Sequence, residues 1–201
     1  MQILFNRTCL RLIAVSLGLF LFPLLLTASD FEEGESYTGV KLGVIGSGAV
    51  DVAGHDVDHS TSLTAGCFFD FPFGSKFHYG LSADFLRMDW QAADYPIPFE
   101  QSEWFLDLGI NFKGNFVDEN SQLGFRPGLG IGFGFLRKME TAGVSNSSYL
   151  TLKAFAEIIY FTPGDLIFLF DCGIWYAPSG GDNLTDVKIG PLVFLRGGVM
   201  F

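Results

Sequence analysis

From Gly128 to Phe135, glycine and large apolar residues alternate without a slip. Gly128, Gly130, Gly132 and Gly134 hold one parity; Leu129, Ile131, Phe133 and Phe135 hold the other. Phosphate-binding loops need other spacings, either G-x-G-x-x-G or G-x-x-x-x-G-K-[ST], so a nucleotide loop is excluded. A period of two belongs to a strand with two unlike faces. Here Phe125, Leu129, Ile131, Phe133 and Phe135 form an apolar face, and Arg126 lies among the glycines on the other.

The same alternation recurs eight times, at residues 37–46, 60–71, 77–88, 104–113, 122–136, 149–161, 166–176 and 187–201. In the fourth segment Trp104, Leu106, Leu108, Ile110 and Phe112 oppose Phe105, Asp107, Gly109, Asn111 and Lys113. In the eighth, Val187, Ile189, Val193, Leu195, Val199 and Phe201 are read as the apolar face. Each segment is close to or above the ~9–11 residues that a tilted strand needs to cross a bilayer.

The first 29 residues differ from the rest. Arg7 and Arg11 precede an apolar run from Leu12 to Leu26, and Thr27-Ala28-Ser29 offers small residues for cleavage, so residues 1–29 read as a signal peptide. The run falls short of the ~20 residues of a spanning helix and is broken by Pro23. Cys9 leaves with it. Residues 30–201 make one domain, with ten basic residues against 22 acidic ones, a net charge of −12. An exported acidic chain is a poor partner for nucleic acid. The chain is nevertheless 49% hydrophobic and holds 23 phenylalanines, with no second segment resembling a spanning helix. A closed β-barrel is the remaining way to satisfy every backbone hydrogen bond in lipid. The expectation is an all-β, eight-stranded antiparallel up-and-down transmembrane barrel.

Connections alternate in length. Residues 72–76, 115–121 and 162–165 read as short turns; 47–59, 89–102, 137–148 and 177–186 read as longer polar loops. That rhythm places the short turns and both termini in the periplasm and the acidic loops outside. Two aromatic girdles are expected: Trp90, Tyr95, Trp104, Tyr149, Trp175 and Tyr176 near the outer ends, and Phe71, Phe73, Phe77, Tyr79, Phe112, Phe116, Phe125, Tyr160 and Phe201 near the inner ends.

The face opposite the apolar one carries eleven charges: Lys41, Asp70, Asp84, Asp107, Lys113, Arg126, Lys153, Glu157, Asp171, Lys188 and Arg196. A soluble lipocalin-like barrel or a β-sandwich would turn its apolar face inward. The strand lengths, girdles and export signal favour the opposite arrangement, with the charges enclosed as a lumen network.

The terminal Leu195-x-Gly197-x-Val199-x-Phe201 resembles the C-terminal signal by which the barrel assembly machinery recognises outer-membrane proteins. Pro127-Gly-Leu-Gly-Ile-Gly-Phe-Gly134 is similar to a strand frequent in small eight-stranded barrels of the OmpA, OmpX and OmpW type. The resemblance implies the cell outer membrane, lipid as the surrounding partner and, through OmpW, a narrow passage for small hydrophobic solutes. No peptidoglycan-binding domain is expected beside the barrel.

An eight-stranded barrel leaves an interior that side chains can fill. The glycines of the fifth strand make room for Phe68, Phe105, Phe155, Leu169, Trp175 and Phe194. Three functions follow: a monomeric structural or surface-interaction barrel whose external loops meet a host surface or ligand, a narrow channel or pocket for hydrophobic solutes, and an acyl-modifying enzyme. Only Asp58-His59-Ser60 offers catalytic groups near the outer rim, and neighbours on a strand point to opposite faces. No catalytic, cofactor or metal site is therefore assigned. His55, His59, Asp51, Asp56 and Asp58 fit no EF-hand spacing. Cys67 and Cys172 fall on the lipid face of non-neighbouring strands, where a disulfide cannot form.

Overall fold

A computed structural model describes residues 36–74, 76–92, 99–117, 122–139, 144–163, 166–182 and 185–201. The signal-peptide assignment and Tyr95 lie outside the described residues. The strands are β1 (Tyr37–Ile45), β2 (Gly48–Val52), β3 (His55–Ser60), β4 (Ser62–Phe73), β5 (Phe77–Ala92), β6 (Phe99–Gly114), β7 (Phe116–Val117), β8 (Leu123–Met139), β9 (Val144–Phe161), β10 (Ile167–Gly181) and β11 (Val187–Met200).

The main ring runs β1, β4, β5, β6, β8, β9, β10, β11 and back to β1, every pairing antiparallel. This is the eight-stranded up-and-down barrel that the alternation called for. Closure rests on β1 and β11, from Gly39 opposite Met200 to Ile45 opposite Phe194.

Where they are described, the segments expected as long loops are largely strand. β2 and β3 form a hairpin on top of β1 and β4, closed by Ala53 and Gly54, both with positive φ. That backbone suits a two-residue hairpin turn. β2 also pairs with β11 and β3 with β5, so the hairpin belongs to the barrel wall. β5 and β6 stay paired as far as Ala92 opposite Phe99. Sixteen residues at about 3.3 Å each span roughly 53 Å, and at a tilt near 40° they rise about 40 Å, past the ~25 Å apolar band of such barrels.

Beyond that band the polarity of the wall reverses. Lower down, Leu42, Leu63, Phe112, Leu129, Ile131 and Val193 point outward and are exposed. Higher up, Val50, Val52, Val57, Met88, Trp90, Val187 and Ile189 point inward and are buried, while Asp56, Asp58, Arg87 and Lys188 face out. The loop reading of residues 47–59, 89–102, 137–148 and 177–186 therefore ends strands too early. A search for outward apolar faces stops where the alternation changes sign, although the ladder continues.

The same reversal corrects the outer girdle. Trp90, Tyr149 and Trp175 are 0–1% exposed and lie inside the barrel, whereas Trp104 is 55% exposed on its outer surface. At the inner end the aromatics do gather outside: Phe112 packs on Phe73 and Phe77, and Phe71 stacks on Tyr79.

The eighth segment contains a slip. β10 and β11 run in register from Ile167 opposite Met200 to Trp175 opposite Leu192, then shift so that Ala177 faces Ile189. The extra residue falls at Gly190-Pro191, where proline has no N–H for the ladder. Val187 and Ile189 thereby turn inward, correcting their placement on the lipid face, and Lys188 turns outward.

Candidate functional site

Each strand of the ring presents its second parity to the lumen, and ten of the eleven expected charges meet there. Lys188 is the exception. It is exposed and stands opposite Asp51 on the outside of β11 and β2, because the Gly190-Pro191 slip changed its parity. Its removal from the set leaves five acids and five bases.

Those ten form one chain of alternating sign. Arg126 binds Asp70 at 2.6 Å, Asp70 binds Lys113 at 2.8 Å, and Lys113 binds Glu157 at 2.9 Å. Glu157 continues to Lys41 at 2.6 Å, and Lys41 to Asp171 at 2.9 Å. Arg196 grips Asp171 with two parallel bonds, Nε to Oδ1 at 3.0 Å and a terminal nitrogen to Oδ2 at 2.7 Å. From Arg196 the chain passes to Asp84 at 2.6 Å, then Lys153 at 2.7 Å, then Asp107 at 3.2 Å. All ten residues are buried. Enclosed charges are tolerated only when each has an opposite partner, and this arrangement supplies at least one to each.

Neutral donors complete the network. Thr151 and the Trp175 indole N–H donate to Asp107 at 2.7 and 3.0 Å, and Asn111 donates to Ser82 at 3.0 Å. Thr151, Asn111 and Ser82 were not singled out as partners from the sequence, although they share the lumen parity of the charges; Trp175 was already placed in the lumen by that parity. Lys41 and Lys113 also lie 4.7 and 4.6 Å from the centre of the Phe68 ring, a favourable place for a cation. Arg126 reaches Glu157 Oε2 only at 3.5 Å, an electrostatic contact too long to satisfy that oxygen by hydrogen bonding.

Apolar clusters flank the network towards both ends. Towards the inner end sit Phe68, Ile159, Ile167, Leu169 and Met200. Above the charges, Phe105 lies 5.1 Å from both Tyr149 and Trp175, beneath the core formed by Val50, Val57, Met88 and Trp90. Glycines permit this filling: a Cβ on Gly134 would enter the Phe105 ring, and one on Gly128 would meet Phe155 at 2.5 Å. A cavity among Lys41, Ser82, Asp84, Asn111, Lys153 and Arg196 measures about 10 Å³. That is room for roughly one water.

This architecture matches known barrels. The outer membrane protein OprG from Pseudomonas aeruginosa aligns with a TM-score of 0.55 at 16% identity, over 84% of this chain and 97% of that one. Neisserial surface protein A aligns with a TM-score of 0.55 at 11% identity, over 82% and 95%. The chain has the fold of the small eight-stranded outer-membrane β-barrels. No family model matches the sequence, and no curated protein matches it.

Above the lumen of this outer-membrane-type barrel, Asp58-His59-Ser60 does not assemble a catalytic group. His59 is 1% exposed inside the outer core, whereas Asp58 faces away and Ser60 shares its parity. Among the described residues no group of three His, Cys, Asp or Glu side chains is placed to hold a metal ion. Cys67 and Cys172 are free thiols on the exposed face of β4 and β10.

His59 instead gives the outer extension a pH dependence. Its Nδ1 sits 3.2 Å from the Asp89 carbonyl oxygen, its Nε2 has no partner, and its ring lies against Trp90. Burial pushes its pKa down, outweighing upward pulls from the carbonyl and carboxylate of Asp89. The unfolded ring titrates near 6.5. Its stabilising contribution is therefore complete above about pH 6.5 and is lost as pH falls through the lower folded value. Amide exchange in β2 and β3, corrected for intrinsic rates, should accelerate between about pH 7.5 and 5, the range that brackets an ordinary histidine. His59→Leu should flatten that response; equal protection at both pH values in the native protein would contradict it.

Proposed function

We propose that the chain is an integral protein of the bacterial outer membrane, a non-conducting barrel that carries a rigid, acid-rich strand extension for interactions at the cell surface. The filled lumen carries this reading. A ten-charge neutral network is flanked by apolar clusters, and a cavity among the charges has room for about one water. A hydrophobic-solute channel is less well supported, because a solute would have to displace paired charges or the Phe105, Tyr149 and Trp175 cluster. Among the described residues, no assembled group supports a catalytic role.

The membrane placement draws on the exposed apolar belt, on the export signal read in residues 1–29, and on the likeness to OprG and to Neisserial surface protein A. Leu195, Gly197, Val199 and Phe201 share one parity of the closing strand, with their outer face in reach of the assembly machinery during biogenesis. Outside the membrane Asp51, Asp56 and Asp58 crowd one hairpin. A basic surface would be drawn to it.

Refolded protein in planar bilayers should give no discrete conductance, and small hydrophobic compounds should leave the baseline unchanged. Single-channel steps blocked by such a compound would overturn the plugged reading in favour of the channel.

A further inference from the structure

The outer wall changes character over three cross-strand steps of β5 and β6. Phe85 stands opposite Leu106, Arg87 opposite Trp104, and Asp89 opposite Ser102. All six hold outward parity, so the wall passes from hydrocarbon to a cation beside an indole, and then to a carboxylate beside a hydroxyl. The middle step sits at a defined height. Phe77, stacked on Phe112 in the inner aromatic cluster, shares the outward face of β5 with Arg87. From Phe77 to Arg87 the strand runs about 33 Å at about 3.3 Å per residue, and a tilt near 40° makes the rise about 25 Å, the height of the apolar band. Arg87 and Trp104 therefore stand at the outer edge of that band.

Arg87 is fixed in place without being used up. Its Nε donates to Asp89 Oδ1 at 3.0 Å and one terminal nitrogen donates to Ser102 Oγ at 3.3 Å, while the second terminal nitrogen bonds no described residue. The Arg87 side chain is 45% exposed, and Trp104 is 55% exposed. On the other side of Trp104, β8 carries Arg137 one position beyond Leu136, whose partner on β6 is Phe105, so the register sets Arg137 beside Trp104. Two arginine positions thus flank one exposed indole on a strongly acidic chain.

We propose that the row of Arg87, Trp104 and Arg137 binds the phosphate group of an outer-leaflet lipid. The inference rests on the membrane reading above. Guanidinium donors match phosphate oxygens in geometry and charge. The indole belongs at headgroup depth, with its ring against hydrocarbon and its N–H towards the polar side. Directly below, Phe85, Leu106 and Phe135 form one cross-strand row of apolar wall, against which the chains of the same lipid would lie. A soluble anion gains the first of these contacts and not the other two. Asp89 acts in both directions: it orients Arg87 through Nε, and its own charge opposes an incoming anion.

The test is native mass spectrometry of the full refolded barrel in detergent, with phosphatidic acid or with diacylglycerol of the same chains, which lacks the phosphate. The native protein should retain phosphatidic acid about tenfold better, the scale of one hydrogen bond to a charged group. Excess inorganic phosphate should leave that adduct in place. Arg87→Gln and Arg137→Gln should each remove most of the preference. Asp89→Asn, which keeps an acceptor for Arg87 Nε but drops the opposing charge, should strengthen retention. Lys76→Gln, in the turn at the inner end, should change nothing. Equal retention of the two lipids, an unchanged preference in either arginine variant, weaker retention in Asp89→Asn, or an equal loss in Lys76→Gln would each overturn the proposal. Displacement by inorganic phosphate would overturn it in favour of a soluble anion. Heat-dependent gel migration of the same samples checks the membrane barrel itself, so a folded, detergent-requiring barrel without the preference sinks the phosphate site alone.

Discussion

Glu157→Ala should destabilise the barrel by about 3–5 kcal/mol, because it leaves buried cations without their shared carboxylate. Glu157 is fully buried and lies 2.6 Å from Lys41, 2.9 Å from Lys113 and 3.5 Å from Arg126. Lys113 would keep only Asp70, and Lys41 only Asp171. The cavity beside Lys41 has room for about one water, too little to replace a carboxylate shared by three cations. Urea unfolding in lipid vesicles, followed by gel migration, reads the loss directly. Removing a cation together with the anion, as Lys113→Met with Glu157→Leu, should recover most of it, since an apolar pair of similar volume often replaces a buried ion pair at little cost. A single variant as stable as the native protein would mean that the lumen is wetter than its burial indicates.

The second large effect concerns Phe105 and Gly134, on hydrogen-bonded β6 and β8. Phe105→Ala should cost about 3–5 kcal/mol, the usual range for emptying a buried aromatic site. Gly134→Ala should cost about 1–3 kcal/mol by overpacking, although its backbone would accept alanine. The new Cβ enters the Phe105 ring, and that ring is wedged between Tyr149 and Trp175. The two changes must therefore be non-additive. In the double variant the methyl group introduced by Gly134→Ala occupies space vacated by the ring, and the total should fall at least about 1 kcal/mol below the sum of the singles. Gly128→Ala should be milder, because Phe155 is only partly buried and has freedom to move. Strict additivity at Gly134 and Phe105 would show that the glycine is not there to seat the ring.

Much of the barrel was legible because strand parity is a local property. Phe125, Leu129, Ile131, Phe133 and Phe135 needed only the period of two to be placed on one face, and their exposure agrees. The ten charges that meet in the lumen followed from the same rule. Lys188 failed because a bulge at Gly190-Pro191 shifts parity, and bulges leave little trace beyond a glycine and a proline. The girdle reading of Trp90, Tyr149 and Trp175 failed for a different reason, although parity had also placed Trp175 in the lumen, where it lies. Height along a strand does not reveal whether the surroundings are lipid or water, so an aromatic near a strand end reads as a girdle residue when it is core.

The sequence by itself determined that this chain forms strands, how many close the ring, and which side chains share a face. Those are consequences of backbone geometry and repeat directly in residue order. Only the tertiary structure decided that the charges join in one neutral alternating chain, because the pairs lie up to 130 positions apart and depend on register across the lumen. It also decided that the outer third of the wall turns its apolar face inward. A strand keeps its alternation through the membrane boundary, but the solvent on its outer side changes there. The inward and outward preferences change with it.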